Sequence, residues 1–351
     1  MSTFLGLIEE IPGISVDRFD GENLNSSAYF LSHCHTDHMQ GLNCVFFYNL
    51  KQKNKYFYCS KISKVILETM GYVIENVIEI DIDVKTEIKY ESNSSDILYV
   101  TCISAGHCPG SVMFLFEKMD ELILYTGDFR INPKDYRKLK SLHDRDSSHS
   151  SPKKLAKVYL DTTFLDRDFT SFPTRPESLR AMCKVVTEWL NLSPKNVVIL
   201  ECSALYGSEF LYMELSKDLN VPIHIKDIVY ETYHRIPDLA RCITLNPMST
   251  RVHACMSKFD RSGLKCCQNI SKRNILTIVP SVLKWKGKDT SKVGEYDSVR
   301  SNTYNVCYST HASYHELETF IKYFKPDEIH PCVCPEDMKN QIFYLLDKIK
   351  S

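Results

Sequence analysis

The sequence has no apolar run of the length that a secretory signal or a roughly 20-residue membrane span needs, and its first 30 residues carry charges every few positions. A soluble chain that does not enter the secretory route is therefore expected. Net charge is also lacking, −1 over 351 residues, so composition gives no global sign of a nucleic-acid partner. No internal repeat is visible, which excludes solenoids and propellers. What is present is the make-up of a folded protein: 43% hydrophobic and 25% charged residues lie near the globular average. At about 150 residues per domain, the length predicts about two domains. Fourteen cysteines would form a disulfide framework in a short secreted chain. In a chain this long without a signal they read as reduced thiols, some of them metal ligands, in a cytosolic or nuclear setting.

The first half reads as short strands at 28–31, 97–103, 112–117, 122–125 and 158–160, rich in β-branched and aromatic residues, with a helix at 63–70. Residues 132–154 are rich in Lys, Asp, Ser and His with few apolar side chains. They read as a long surface loop or linker, and the first domain boundary is placed at their end. Beyond it, helical spacing at 176–189 and 208–219 alternates with strands at 196–200 and 221–225, which predicts a second α/β unit with a parallel sheet. A strand after Tyr304 and helices at 314–323 and 336–348 close the chain.

Residues 31–38 read L-S-H-C-H-T-D-H. Imidazole and carboxylate suit zinc, and His33, His35, Asp37 and His38 following a strand converge only if the loop curls around a metal. Two further loops can complete the set. His107 lies in the glycine-flanked A-G-H-C-P-G-S, and Asp128 ends the apolar strand that runs into Y-T-G-D-F. Each alone has an ordinary structural explanation; the six together are hard to explain without metal.

On these residues the chain resembles the metallo-β-lactamase-fold hydrolases, whose hallmark is H-x-H-x-D-H with a distant His and Asp. It is closest to the branch of DNA-processing nucleases that carry a β-CASP insertion. I-S-V-D-R-F at 14–19, A-Y-F-L-S-H-C-H, A-G-H-C-P-G-S-V-M-F-L-F, L-Y-T-G-D-F-R, V-Y-L-D-T-T-F, V-H-A-C and H-x-S-Y-x-E-L-x-x-F from His311 all look like that branch, over essentially the whole chain. The resemblance implies an α/β fold, an αββα sandwich formed by 1–154 and 306–351, with an inserted β-CASP α/β domain at 155–305. It implies that His33, His35 and His107 hold a first metal, that Asp37 and His38 face a second, and that Asp128 lies between them. Asp17 would orient ligands, Asp161 would match the first β-CASP motif, and His311 the second, contacting the scissile phosphate or protonating the leaving oxygen. Catalysis would thus rest on Asp17, Asp37, His38, Asp128, Asp161 and His311. The third motif falls on Val333, as in DNA-cutting relatives, although His330, Cys332 and Cys334 flank it and a shift of register would bring a ligand there. A valine leaves the second metal short of a ligand, so Zn2+ is expected to bind tightly at one position and weakly at the other, where Mg2+ or Mn2+ could serve.

In the inserted region His224, His253, Cys255 and either Cys266 or Cys267 make a complete set for structural Zn2+, and the resemblance points to the same residues. Cysteine alone is often just a small buried hydrophobe, and Cys34, Cys44, Cys59 and Cys102 read that way. Between Ser257 and Lys292 nine basic residues stand against Asp260 and Asp289. Lys284, Lys286 and Lys288 read either as a solvated face or as a phosphate-tracking one, and Trp285 among them either as packing or as a platform for an unpaired base.

The function implied is metal-dependent hydrolysis of DNA phosphodiesters at ends, overhangs or hairpins in non-homologous end joining. The expected setting is nuclear and monomeric, without membrane, on single- or double-stranded ends, with DNA-dependent protein kinase and end-joining factors as partners. The alternatives are a 5′-exonuclease of cross-link or telomere-end repair and, in another class, a non-catalytic DNA-end scaffold. Val333 disfavours RNA as substrate, and the long insertion disfavours small-molecule hydrolysis.

Overall fold

Strand Tyr56–Cys59 shows how the first unit is layered. Side chains alternate across a strand, and here the two faces meet different partners. Phe57 packs against Phe46 and Phe47 of helix Cys44–Gln52. Its neighbour Tyr58 turns the other way and stacks on Phe30, which in turn meets Phe114 and Phe116 of a second sheet. The far face of that second sheet is covered by Leu317, Phe320 and Ile321 of helix Tyr314–Phe324 and by Leu345 and Leu346 of helix Lys339–Lys350. Helix, sheet, sheet and helix follow one another, which is the αββα sandwich.

The computed structural model describes residues 2–90, 97–144, 151–202, 206–255, 266 and 269–351. The chain forms two units, Met1–Asp166 with Thr310–Ser351, and Arg167–Ser309. In the first unit one sheet has parallel strands Ile14–Val16, Ala28–Leu31, Tyr56–Cys59 and Val77–Glu79, in that order. The other runs Glu328–Pro331, Lys157–Leu160, Glu121–Tyr125, Val112–Lys118, Tyr99–Ser104 and Lys85–Glu87. Lys157–Leu160 is parallel to both neighbours, and the strands beyond Glu121–Tyr125 alternate in direction. Tyr99–Ser104, Glu121–Tyr125 and Lys157–Leu160 therefore all point the same way, and the loops that leave them open at one end of the sheet.

The boundaries read from the sequence need correction. The division falls after Asp166 rather than 154, because Lys157–Leu160 is a central strand of the first unit's sheet. It falls after Ser309 rather than 305, because Thr303–Val306 pairs with Ile275–Pro280 in the second unit. The described part of 132–154 is no linker either. It forms 3-10 turns Pro133–Lys138 and Lys140–Leu142, and Tyr136 and Leu142 are buried in the core against the closing helices.

Among the described residues the second unit has a sheet of seven strands in the order Ile243–Thr244, Ile223–His224, Val252–His253, Val197–Leu200, Ile275–Pro280, Thr303–Val306 and Gly294–Tyr296. All pairs are parallel except the last. Helix Arg175–Leu192 starts at a capping box formed by Thr174 and Glu177, with Pro176 in its first turn. Among the described residues no helix is long and apolar enough to cross a membrane.

Candidate metal centre

The ligand types converge where the parallel-pointing strands end. Ala28–Leu31 runs into Ser32 and His33, and a turn closed by His38 N–H donating to His35 O (3.0 Å) brings His38 back beside them. Tyr99–Ser104 leads to the loop carrying His107, Glu121–Tyr125 to Asp128, and Lys157–Leu160 to Asp161. His311 arrives just before helix Tyr314–Phe324, and Ala312 N–H donates to Phe129 O (3.0 Å), fixing the two loops to each other.

Asp128 sits at the centre. Its Oδ2 lies 3.6 Å from His33 Nε2, 3.7 Å from His107 Nε2 and 3.8 Å from His311 Nε2, while Oδ1 lies 3.2 Å from His38 Nε2. The ligand atoms of His33, His35, His107 and Asp128 all lie within 4.8 Å of one another. His33 Nε2, His35 Nε2 and His38 Nε2 are buried without a hydrogen-bond partner. Buried polar atoms are nearly always paired, so orphaned nitrogens in this cluster, with His33 Nε2 and His38 Nε2 turned to the Asp128 carboxylate, fit a metal. Burial pushes the His33, His35 and His107 pKa values down, which keeps these rings neutral and able to ligate. Burial acts the same way on His38, but Asp128 and Asp17 outweigh it and hold it high; burial pushes the Asp128 carboxyl up, but His38, His311 and His107 hold it low.

The remaining site residues fall into place unequally. Asp161 Oδ2 accepts from His311 Nδ1 (2.9 Å), and its Oδ1 accepts from the Thr163 amide and hydroxyl (3.0 and 2.6 Å). Asp161 thus aims His311, whose pKa is depressed by burial but lifted by Asp161 and Asp128 to about 9. Asp37 is half-buried at the edge, its Oδ2 accepting from Ser2 N–H (3.2 Å) and lying 3.9 Å from His38 Nε2. Val333 offers only its backbone, which exchanges hydrogen bonds with Thr162 Oγ1. His330 packs on Tyr159, and neither it nor Cys332 or Cys334 joins a ligand group among the described residues.

A second cluster lies within the inserted unit. His224 and His253 are register partners on adjacent strands, with Nδ1 atoms 3.1 Å apart. Cys255 Sγ is 3.3 Å from Cys266 Sγ, and Cys266 Sγ is 3.7 Å from His253 Nδ1. The four ligand atoms lie within 4.8 Å of one another. Burial lowers His224, and burial with its neighbour His224 lowers His253 to about 4, so both are neutral. Cys267 lies outside the described residues. Cys44, read as core, is exposed at the start of its helix, whereas Cys34, Cys59 and Cys102 are buried.

The reading of Trp285 as a base platform is corrected: its side chain is 3% exposed and its indole N–H donates to Lys292 O (3.2 Å), so the ring is interior packing. The adjoining lysines face carboxylates. Lys284 pairs with Asp297 (2.6 Å), Lys286 with Asp168 (3.4 Å) and Lys288 with Glu295 (3.3 Å). Sequence reasoning missed Ser32, Thr163, Arg130 and Glu316, which hold ligand loops; only the D-x-T step at 161–163 carried a local signal, that of an Asp bonding two residues on.

Residues 237–337 match the family described as DNA repair metallo-beta-lactamase. Protein artemis of Homo sapiens is 37% identical over 95% of this chain and 50% of its own length, and that of Danio rerio 37% over 95% and 54%. DNA cross-link repair 1A protein of Homo sapiens is 30% identical over 93% and 30%. The chain spans about half the length of the artemis relatives. A crystal structure of a protein of unknown function from Enterococcus faecalis V583 shares the fold, with a TM-score of 0.51 and 13% identity over 87% of this chain and 75% of that one. Fold, metal-ligand set and family match define the class, a metallo-β-lactamase-fold chain of the DNA repair branch with an inserted α/β unit. Within that branch the chain is Artemis-like across 95% of its length.

Proposed function

We propose that this chain is a metal-dependent DNA nuclease that hydrolyses phosphodiester bonds at ends, overhangs or hairpins during non-homologous end joining in the nucleus. The observation that carries this reading is the pair of buried Nε2 atoms of His33 and His38, set 3.6 and 3.2 Å from the Asp128 carboxylate, beside a histidine held high by its own carboxylate. His33, His35, His107 and Asp128 would hold a first Zn2+. Asp37, His38 and Asp128 would hold a second, weaker one, open to Mg2+ or Mn2+ because Val333 supplies no ligand. Metal in such a site acts as a Lewis acid on phosphoryl oxygens and makes water acidic enough to ionise near neutral pH. His311, charged at neutral pH, holds a phosphate oxygen or delivers its Nε2 proton to the leaving oxygen, while Asp161 keeps the ring from turning away. His224, His253, Cys255 and Cys266 would hold a structural Zn2+ that stabilises the inserted unit. DNA-dependent protein kinase and end-joining factors are the partners this reading brings with it; the nuclease reading itself is supported by the similarity to protein artemis over 95% of the chain.

The test is incubation of the chain with zinc, magnesium or manganese on labelled hairpin, overhang and 5′-phosphorylated single-stranded DNA, and on an RNA of the same sequence. Cleavage of hairpin or overhang DNA without a need for a 5′-phosphate is expected. An absolute need for that phosphate would favour the cross-link-type 5′-exonuclease, equal cutting of RNA would overturn the substrate class, and tight binding without cleavage under any metal would leave a DNA-end scaffold.

A further inference from the structure

The Asp17 carboxylate gathers four hydrogen bonds. Its Oδ1 accepts from Ser32 N–H (2.7 Å); its Oδ2 accepts from Ser32 Oγ–H (2.5 Å), Tyr125 O–H (2.8 Å) and His38 Nδ1–H (2.8 Å). Ser32 Oγ has a second neighbour, His33 Nδ1 at 3.0 Å. A hydroxyl has one proton, and Ser32 spends it on Asp17, so its oxygen must accept from His33 Nδ1–H. That assignment leaves His33 Nε2 bare, and it is one of the buried nitrogens with no partner. His38 likewise places its Nδ1–H on Asp17, which turns its Nε2 toward Asp128 Oδ1 (3.2 Å).

The local backbone is shaped around this network. Asp17 is a non-glycine residue at φ +56°, a conformation that is rare outside glycine, Asn and Asp and persists only where its surroundings enforce it. Gly127 sits at φ +50°, and a Cβ there would lie 2.8 Å from Ser32 Oγ and 2.9 Å from Ser32 Cβ. The loop that delivers Asp128 therefore passes directly over Ser32 and leaves room for a small side chain only. Tyr125 precedes that loop, and burial together with Asp17 keeps its phenol protonated as a donor.

We propose that Ser32 and Tyr125 are positioning residues for the metal: Ser32 relays the Asp17 carboxylate to His33, Tyr125 braces that carboxylate, and one acid thereby sets the tautomer and ring orientation of two ligands. A hydrogen bond on the far nitrogen fixes which imidazole atom ligates and raises its basicity, and loss of such a partner typically lowers metal affinity by about 10–100-fold. The inference rests on the metal reading of the site, and its test separates the two.

Active-site zinc affinity is measured on the full chain by chelator competition, the class of zinc that disappears in His35→Ala marking the active site. Ser32→Ala and Tyr125→Phe are compared with Tyr159→Phe, a control that removes an equally buried phenol whose hydroxyl bonds Glu10 Oε2 (2.8 Å) and lies outside the network. Ser32→Ala and Tyr125→Phe should each weaken that class by about tenfold or more, with metal-free thermal unfolding close to wild type, and Tyr159→Phe should leave affinity unchanged. Imidazole ¹⁵N spectra add a second readout: the slowly exchanging Nδ1–H of His33 should be lost in Ser32→Ala while that of His38 stays. Unchanged affinity in the first two variants, or an equal loss in all three, would overturn the positioning role. A wild-type chain with no zinc class sensitive to His35→Ala would overturn the metal reading beneath it.

Discussion

Removing the Arg130 guanidinium should unfold the first unit early, and removing its partner's charge as well should restore it. Arg130 is 5% exposed and grips Glu316 through Nε at 3.1 and 3.2 Å and Nη2 at 3.1 Å. Glu316 Oε2 also accepts from Ser313 N–H (2.8 Å), capping helix Tyr314–Phe324. The Arg130 amide donates to Ala105 O (3.0 Å), so the pair lies where the loops carrying His107, Asp128 and His311 are tied together. Arg130→Met leaves the Glu316 side chain with the Ser313 cap in place of its ion pair. Breaking a buried pair on one side costs about 3–5 kcal/mol, and because the Glu316 side chain is 16% exposed the lower end, ~3 kcal/mol, applies. For a unit of this size that is a fall of roughly 6–12 °C in Tm. In Arg130→Met with Glu316→Gln no charge is stranded and Gln still accepts from Ser313, so stability should return to within about 1 kcal/mol of wild type. Thermal denaturation followed by circular dichroism reads both. A single variant as stable as wild type, or a double variant worse than the single, would refute the reasoning.

Further outcomes follow from the inserted unit. Cys266→Ser should remove one tightly held zinc in elemental analysis and Cys267→Ser should not, because Cys266 Sγ is the sulfur placed beside Cys255 and His253. Lys286→Ala with Lys288→Ala should flatten the salt dependence of DNA binding by nearly two units of the log–log slope if both lysines exchange their carboxylates for phosphates; an unchanged slope would move the DNA path to another face. Lys284→Ala should act on the fold instead, since Asp297, its partner, also accepts from the Val299 and Arg300 amides and holds that turn; a lowered Tm with an unaltered salt slope is expected. Burial holds the Glu209 carboxyl above its ordinary value of 4.5 despite donors from Tyr233 and Gly207. A raised acid binds its proton more tightly in the folded state, so its stabilisation is full below the ordinary value and is lost as pH rises through the raised one. Glu209→Gln should therefore flatten the decline in stability over that window, and an unchanged pH profile would contradict the assignment.

The clustered side chains of the candidate metal centre were legible because four of them crowd into residues 33–38 and the other two sit in short glycine-flanked loops at strand ends. The network that orients them was not. Asp17 was reached through the resemblance, but Ser32 and Tyr125 are ordinary residues in sequence, and only the pairing of Ile14–Val16 with Ala28–Leu31 and the packing of two sheets bring the three together. The polar composition hid an anchored segment at 132–144, since a few side chains, Tyr136 and Leu142 among them, reach the core while most of their neighbours stay at the surface. For Trp285 the sequence left packing and base stacking both open, and the structure settles on packing; its flanking lysines are exposed and pair with Asp297, Asp168 and Glu295, carboxylates that spacing along the chain does not reveal.

The central claim is that Asp128, set between the histidines, makes this chain a phosphodiesterase. The most direct test is metal-supported cleavage of a labelled DNA hairpin by wild type and by Asp128→Asn, with folding of both checked by thermal denaturation. Wild type should cut, and the folded Asp128→Asn variant should retain no more than a few per cent of that rate. A folded Asp128→Asn variant cutting at a rate near wild type would contradict the account.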